Sequence, residues 1–488
     1  MRFSEVILEN EISTHNISPS AEVFGIAIKA RCVREGYIYI VTNPSKAELE
    51  SLSARPVGII CPKSTIVPQE LIGITDRCEG TLRLASFAFA RFLNIDFSSL
   101  RFIGITGTNG KTTTATMLKK ILTDAGYKVG YIGTGKIEAN GVLLSDGHYS
   151  MTTPEPDVLY PMIKKIAEHG CEIIVMEVSS HALKLCRVEP IQFEYGIFTN
   201  LSPEHTDFHS DMEDYFQSKK RLMSRSHVGV FNVDDGYARQ AAREFSKRKI
   251  TVGVLWKGDV YARDVEPHGL SGVSYVYRAK NFSFTMRLQL PGLFNVYNSM
   301  TALAVAIDMG VLPCKAKASL ASLSGVAGRF EVISGDVTAI IDYAHTGEAF
   351  ENILKSINSV KNAGQKLIVV FGCGGERDKL KRPKMAKAAE KYADLTYVTS
   401  DNPRGENPMK IIEDITAGFT KHTYLCEPDR ESAIRKAIKA AERGDIIAVI
   451  GKGAERYSID KTGYHDFDER KIIADALRER GEKDDGSS

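Results

Sequence analysis

Residues 103–114 read "IGITGTNGKTTT", a short apolar run that breaks into glycine and threonine around one lysine. The run before it and the amphipathic "TTTATMLKKILTDAG" after it predict a strand, a tight loop and a helix. Gly107 and Gly110 let the backbone approach a phosphate closely, Lys111 offers a point charge to the outer phosphates, and Thr112 is placed for Mg2+. Ile105 stands where the strict G-x-x-x-x-G-K-[ST] spacing has its first glycine. From the loop alone, any ATPase or GTPase stays open.

Working outward, strands alternate with helical stretches: "KVGYIG", "LYPMIKKIAEHG", "CEIIVMEVS", "YGIFTNLS" and the helix-like "FNVYNSMTALAVAIDMG". That alternation implies βαβ units and a mostly parallel sheet. The pattern restarts after Arg329 with "VTAIIDYAH", "QKLIVVFGCGG", "DLTYVTSD" and "GDIIAVIGKG", as expected of a Rossmann-like doubly wound domain. Before the loop, "EGYIYIVT", "VGIICP" and "EGTLRLASFAFARFL" suggest a small leading α/β domain. The expected fold class is therefore α/β in three domains. These are residues 1–98, a central P-loop ATPase-type parallel sheet over 99–329, and the doubly wound domain over 330–488.

The bulk numbers agree. A chain of 488 residues exceeds one ordinary core, and at about 150 residues per domain suggests roughly three. A formal charge of +2, with acids and bases interspersed, argues against nucleic acid and membrane surfaces as partners. No apolar run is long enough to span a bilayer, and the acidic start "MRFSEVILENEIS" does not read as a signal peptide, so a cytoplasmic protein is expected. Eight cysteines without a C-x-x-C pair are expected to be small buried hydrophobes.

The form "TGTNGKTTT" resembles the loop of the Mur ligases and their folylpolyglutamate synthetase relatives, in which ATP phosphorylates a carboxylate that an amine then attacks. Other stretches resemble that family too. In "MEVSSHAL", Glu177 ends a strand where it can face magnesium. In "TNLSPEHTDFH", His205, Asp207 and His209 fall short of a convincing zinc set, and Mg2+ prefers oxygen. The resemblance gives His205 to a second magnesium. "MEDYFQSKKRL" matches the family stretch whose lysine is carbamylated by CO2. Lys219 fits that position with Lys220 beside it, and a carbamate supplies the anionic oxygens that an ammonium lacks. The resemblance thus implies Lys111, Glu177, His205 and Lys219 as catalytic, with Thr112, Glu177, His205 and Lys219 around the metal. ATP is expected on Gly107, Thr108, Asn109, Gly110, Lys111, Thr112 and Thr113, with Asn295 and Asn298 of "PGLFNVYN", Arg329 of "GRFE", and Asp342 and His345 of "DYAH".

Within the family, "MTTPEP" and "SSHAL" belong to the subgroup acting on a UDP-muramoyl dipeptide, which implies that Thr152, Thr153, Ser179 and Arg187 hold it. "DNPRG" alone is ordinary turn chemistry. With "GGERDK" and "GKGAER" it marks members that take diaminopimelate, whose second carboxylate suits the planar fork of Arg404. Arg377, Asp401, Asn402, Pro403, Gly451 and Glu455 complete that expected pocket. The chain departs from the family at its nucleotide-sugar end. Ala30 replaces the serine of a D-S-R triplet, a G-x-x-x-D-G-H segment is missing, and Leu185 and Ala454 replace a glutamine and a histidine. The reading is of an ATP-dependent amide ligase, acting as a monomer. A related ligase using L-lysine or another acceptor, and a nucleotide-binding paralogue without catalysis, stand as alternatives.

Overall fold

The computed structural model describes residues 1–42, 44–145, 151–203 and 208–485. The chain forms two compact units, Met1–Leu201 with Ser210–Thr251, and Ser202–His209 with Val252–Ser488. In the first unit a four-stranded parallel sheet is built from Gly25–Ala27, Tyr37–Ile40, Gly58–Cys61 and Thr75–Arg77, in that order. Both faces are covered, which is why its first three strands are apolar throughout, whereas the edge strand Thr75–Arg77 is polar. Ile38, Ile40 and Ile60 join the cluster that includes Leu84 and Ala88 of helix Thr81–Phe92, whereas Tyr39, Ile59 and Cys61 face Leu49 and Leu71.

The same unit holds the larger sheet. Strand Arg101–Thr106 pairs in parallel with Phe193–Phe198 on one side and Ile173–Glu177 on the other. Ser226–Asn232 extends the first side, and Val129–Gly133 extends the second. Strands Lys136–Ala139 and Val142–Ser145 add an antiparallel edge there. The chain thus leaves the 101–106 strand toward one edge and later returns to build the other, so this strand ends at a switch in strand order, where α/β sheets place ligands.

In the second unit, strands Val260–Pro267, Val273–Arg278 and Ser283–Leu288 form an antiparallel meander ahead of the buried helix Leu293–Asp308. A six-stranded sheet follows in the order Glu331–Ile333, Thr338–Asp342, Ile446–Ile450, Leu367–Phe371, Leu395–Val398, Tyr424–Cys426, parallel except for its first strand. Period-2 geometry explains the unbroken run "IIAVI". Ile446, Ala448 and Ile450 enter one core, and Ile447 and Val449 enter the core on the opposite face.

The cysteine expectation holds in part. Cys61, Cys78, Cys171 and Cys373 are buried, but Cys32, Cys314 and Cys426 are exposed, because they sit on turns, helix starts and an edge strand rather than on inward-facing positions. Among the described residues, no helix is long and apolar enough to cross a membrane.

Candidate active site

The loop after Thr106 is held open by close packing. Gly107 has φ +143°, and a Cβ there would lie 1.9 Å from Thr199 Oγ1, so no side chain fits. Thr199 Oγ1 donates to Asn109 O at 2.7 Å, Asn200 Oδ1 accepts from Asn109 N at 2.9 Å, and Thr108 N donates to Asn200 O at 2.9 Å. The end of the neighbouring strand thereby fixes the loop before any ligand arrives. Gly110, at φ +87°, turns the chain into helix Lys111–Asp124 and brings no capping side chain, leaving the helix start open to an anion. Thr113 is buried beneath that turn.

Two ammonium groups converge on the loop. Lys111 Nζ donates to Gly107 O at 2.9 Å and Thr108 O at 2.8 Å. Lys219, on helix Met212–Ser224, is 1% exposed, donates to the same Gly107 O at 2.8 Å, and lies 4.5 Å from the centre of the Tyr215 ring. Lys220 turns the other way and pairs with Glu244. Glu177 is fully buried at its strand end. Its Oε1 accepts from Tyr131 OH at 2.7 Å and Thr134 N at 3.0 Å, and its Oε2 from Thr112 Oγ1 at 3.0 Å and Thr134 Oγ1 at 3.2 Å.

The segment after the undescribed 146–150 lies against this carboxylate. Thr152 Oγ1 accepts from Thr134 Oγ1 at 3.1 Å, and Thr153 Oγ1 donates to Glu177 O at 2.9 Å while accepting from Ser179 N at 3.0 Å. Ser179 caps helix Ser180–Lys184 through Ala182 N. Arg187 is buried, donates to Thr153 O at 2.9 Å and stands 3.7 Å from Glu155. Burial lowers its pKa, with Glu155 and Asp157 opposing. Lys29, next to Ala30, reaches Glu155 at 2.7 Å and Asp157 at 2.9 Å. Burial disfavours the Lys29 charge, but those two carboxylates outweigh it and raise its pKa.

In the second unit, Asn295 Nδ2 donates to Pro291 O at 2.8 Å, and Asn298 Nδ2 donates to Asn295 Oδ1 at 3.3 Å. The Arg329 guanidinium stacks 4.4 Å from the Tyr343 ring centre. Asp342 accepts from Phe330 N and Ala344 N, both at 2.7 Å, and burial raises its pKa. His345 Nδ1 sits 3.0 Å from Tyr343 O. These contacts tie the 328–330 turn to the end of strand 338–342.

Loops 372–377, 399–407 and 451–456 follow three adjacent parallel strands and meet at their carboxyl ends. Lys452, fully buried, donates to Asn402 Oδ1 at 2.7 Å and lies 3.4 Å from Asp401 and 3.6 Å from Glu455. Asn402 Nδ2 in turn donates to Glu455 Oε2 at 2.9 Å. Burial alone would raise the Asp401 carboxyl, but Lys452 and Arg430 hold it below the usual carboxylate range. For Glu455 burial prevails and the pKa rises. Arg404, at φ +51°, donates from Nη1 to Gly375 O at 2.9 Å and from its backbone N to Ile459 O at 3.0 Å. Pro403 is buried beside it, Arg377 is exposed at the rim, and a Cβ on Gly451 would lie 3.2 Å from Asp401 Oδ2.

The Mur ligase middle-domain model matches residues 105–306, and the Mur ligase glutamate ligase domain model matches residues 328–453. A protein of Aquifex aeolicus named UDP-N-acetylmuramoyl-L-alanyl-D-glutamate--2,6-diaminopimelate ligase is 38% identical over 467 residues, covering 93% of this chain and 94% of its own. One of the same name from Clostridium perfringens is 36% identical over 97% of both chains. The chain belongs to the Mur ligase family. A solved structure of a UDP-N-acetylmuramoyl-L-alanyl-D-glutamate--2,6-diaminopimelate ligase covers 99% of both chains with a TM-score of 0.68 and 27% identity. A folylpolyglutamate synthase of Mycobacterium tuberculosis shares the fold, with a TM-score of 0.64 at 17% identity over 75% of this chain and 92% of its own.

In this Mur ligase, the first unit gathers the loop, Glu177, Lys219, Thr152, Thr153, Ser179 and Arg187, and the second gathers the 401–404 set with Glu455. His205 lies outside the described residues. Tyr131 and Thr134, two further partners of Glu177, escaped the sequence reading. Thr134 had a usable signal, being a hydroxyl two residues from Ile132 just past a strand end. Tyr131 had none, since a tyrosine in "KVGYIG" reads as core.

Proposed function

We propose that this Mur ligase adds meso-2,6-diaminopimelate to the D-glutamate γ-carboxylate of UDP-N-acetylmuramoyl-L-alanyl-D-glutamate, in peptidoglycan precursor synthesis in the cytoplasm. The observation that carries the reading is the meeting of Arg404, Asn402, Asp401 and Glu455 at three adjacent strand ends. It is the kind of site a zwitterion with two ammonium and two carboxylate groups requires. The names of the relatives support the same assignment.

On this reading residues 1–98 take the nucleotide-sugar, 99–329 take ATP, and 330–488 deliver the amino acid. Lys111 and the loop amides bind the phosphates and stabilise charge on the transferring phosphoryl group. Thr152, Thr153, Ser179 and Arg187 orient the dipeptide so that its γ-carboxylate oxygen attacks the γ-phosphorus of ATP and ADP leaves. The neutral amine of diaminopimelate then attacks the acyl carbon, a tetrahedral intermediate forms, and its collapse expels phosphate and leaves the amide. Glu455 and Asp401 hold ammonium, and Arg404 and Arg377 hold the distal carboxylate.

Mg2+ fits the residues present. Among the described residues no group of three His, Cys, Asp or Glu side chains gathers, but the Thr112 hydroxyl and the buried Glu177 carboxylate offer oxygen 3.0 Å apart beside the phosphate loop. An ion that takes one or two carboxylates plus substrate phosphates asks for no more. Thr112, Glu177, His205 and a Lys219 carbamate formed with CO2 would hold it, and when bound it neutralises charge on the phosphoryl oxygens.

The test is ADP release with the UDP-muramoyl dipeptide crossed against meso-diaminopimelate, L-lysine, D-lysine and glutamate. Release that requires both the dipeptide and diaminopimelate, with a tripeptide product, is expected. Release with L-lysine or another acceptor instead, or nucleotide binding without amine-dependent release, overturns the assignment.

A further inference from the structure

Among the described residues the largest fully buried side chain is Arg382, at the start of helix Lys381–Tyr392. It has no place in the chemistry above. Its Nη1 donates to Asp414 Oδ2 at 2.8 Å, and its Nη2 donates to Glu406 Oε2 at 3.0 Å, to Glu406 Oε1 at 3.2 Å and, weakly, to Gly374 O at 3.4 Å. Glu406 Oε1 also accepts from Glu376 N at 2.6 Å. One buried cation and one carboxylate therefore tie the 374–377 loop to the 401–406 loop.

What the tie holds is a strained junction. Glu376 and Arg404 are non-glycine residues at φ +55° and +51°, a conformation that persists only where the surroundings impose it. The loops touch directly, with Gly375 N donating to Asn402 O at 2.9 Å, and the Arg404 side chain donating from Nη1 to Gly375 O at 2.9 Å. A Cβ on Gly375 would meet Pro403 O at 2.0 Å, so the approach is as close as two chains allow. Lys379, mostly exposed and 3.7 Å from Glu406, adds little.

We propose that Arg382 and Glu406 are positioning residues for amino-acid selection, fixing the 374–377 and 401–406 loops so that the Arg404 guanidinium, with Arg377, meets the second carboxylate of the incoming diamino acid. The inference rests on the reading that Arg404 binds diaminopimelate. Neither Arg382 nor Glu406 touches substrate. Their effect passes through Arg404, and a binding group displaced by about 1 Å can cost on the order of 100-fold.

The experiment uses the full-length enzyme and a double-mutant cycle on KM for meso-diaminopimelate. Glu406, 19% exposed, is the side chain to change, since removing the fully buried Arg382 would take the partner from both Glu406 and Asp414 and leave a cavity. Glu406→Ala is expected to raise KM for diaminopimelate roughly tenfold or more, with KM for ATP unchanged. In an Arg404→Ala background the same change is expected to cost less than about twofold, because the group it positions is gone. A general structural role would give the full penalty in both backgrounds. If Glu406→Ala does not fold, as judged by a lost ATP KM, Glu406→Gln carries the same comparison, since it keeps one acceptor and loses the other. The proposal is overturned by an unchanged KM in the Glu406 variant or by additive penalties. If Arg404→Ala itself leaves KM for diaminopimelate unchanged, the reading of Arg404 fails first and the proposal falls with it.

Discussion

Replacing Gly107 by alanine puts the phosphate loop to a quantitative test. At φ +143° the position is one that L side chains rarely adopt, which costs about 1–3 kcal/mol. The new Cβ also falls 1.9 Å from Thr199 Oγ1 and 3.1 Å from Asn200 O, so the loop or the 199–200 segment must move. The loop can relax in the free enzyme but must be restored to cradle phosphate, and the strain is then lost from binding. At about 1.4 kcal/mol per factor of ten, the strain alone weakens ATP by roughly fivefold to 150-fold. Thr199→Ala separates the two contributions. It removes the clashing oxygen and, with it, the 2.7 Å bond to Asn109 O, whose loss costs about 1 kcal/mol. Gly107→Ala on that background should regain the steric part and still bind less tightly than Thr199→Ala alone. Gly126→Ala is the control, because Gly126 shares a positive φ (+100°) at the far end of the same helix and has nothing within 4 Å of a Cβ. It should lose stability and leave nucleotide affinity alone. Titration with a fluorescent ATP analogue measures all four variants, and a Gly107→Ala enzyme within twofold of wild type would refute the argument.

Lys219→Ala should lower ADP release by on the order of 100-fold or more, as loss of a charge-stabilising group does, while Lys220→Ala, which breaks a surface pair with Glu244, should stay near wild type. A 13C-carbamate signal from labelled bicarbonate should persist in Lys220→Ala and vanish in Lys219→Ala, and the reverse pattern sinks the assignment. Burial raises the Glu455 pKa above its ordinary 4.5, so on acidification the folded protein protonates it before an exposed glutamate. Its stability contribution is present at low pH and lost as pH rises through the folded value, while capture of ammonium runs the other way. KM for diaminopimelate should therefore climb on the acid side, starting above pH 4.5, and an identical acid limb in Glu455→Gln would contradict this. Asp401 has the opposite sign, since its lowered pKa stabilises the fold above 3.8 and that stability is lost as pH falls through the folded value. Lys29→Ala breaks a pair about one-third exposed, so denaturation should shift by no more than about 1 kcal/mol, and a larger loss would mean the pair carries structure.

Elements whose signal is local were legible in the sequence. The 101–114 strand, loop and helix, the apolar strands of the last domain and helix 81–92 each carry a period or a breaker that reports on its own backbone. The antiparallel meander over 260–288 was not read, although "SFTMRL" alternates strictly, because it belongs to a region that the βαβ pattern had already claimed. The choice of Lys219 over Lys220 rests on the family resemblance, since two lysines on a helix by themselves read as a solvated face, and the structure supplies the physical reason. Tyr215, Phe216, Leu222 and Met223 are buried with Lys219 at helical spacing, and Lys220 falls off that stripe. The Tyr131 hydroxyl is a different case, meeting Glu177 across 46 residues of sequence through two strands paired in register. No local pattern reports such a meeting.

The departures from the family pattern follow the same division. Ala30 and its neighbour Lys29 sit outside the phosphate machinery, yet Lys29 binds Glu155 and Asp157, and Glu155 stands 3.7 Å from Arg187. A pair so exposed adds little to stability, so its consequence is positional. It joins the first domain to the segment that carries Thr152 and Thr153, whose hydroxyls touch Thr134 and the Glu177 carbonyl. The chain of contacts from residue 29 to Glu177 is continuous within one compact unit. A change of residues at the nucleotide-sugar end is therefore compatible with intact phosphoryl transfer and is expected to act on which acceptor is held, and how, rather than on whether phosphate moves.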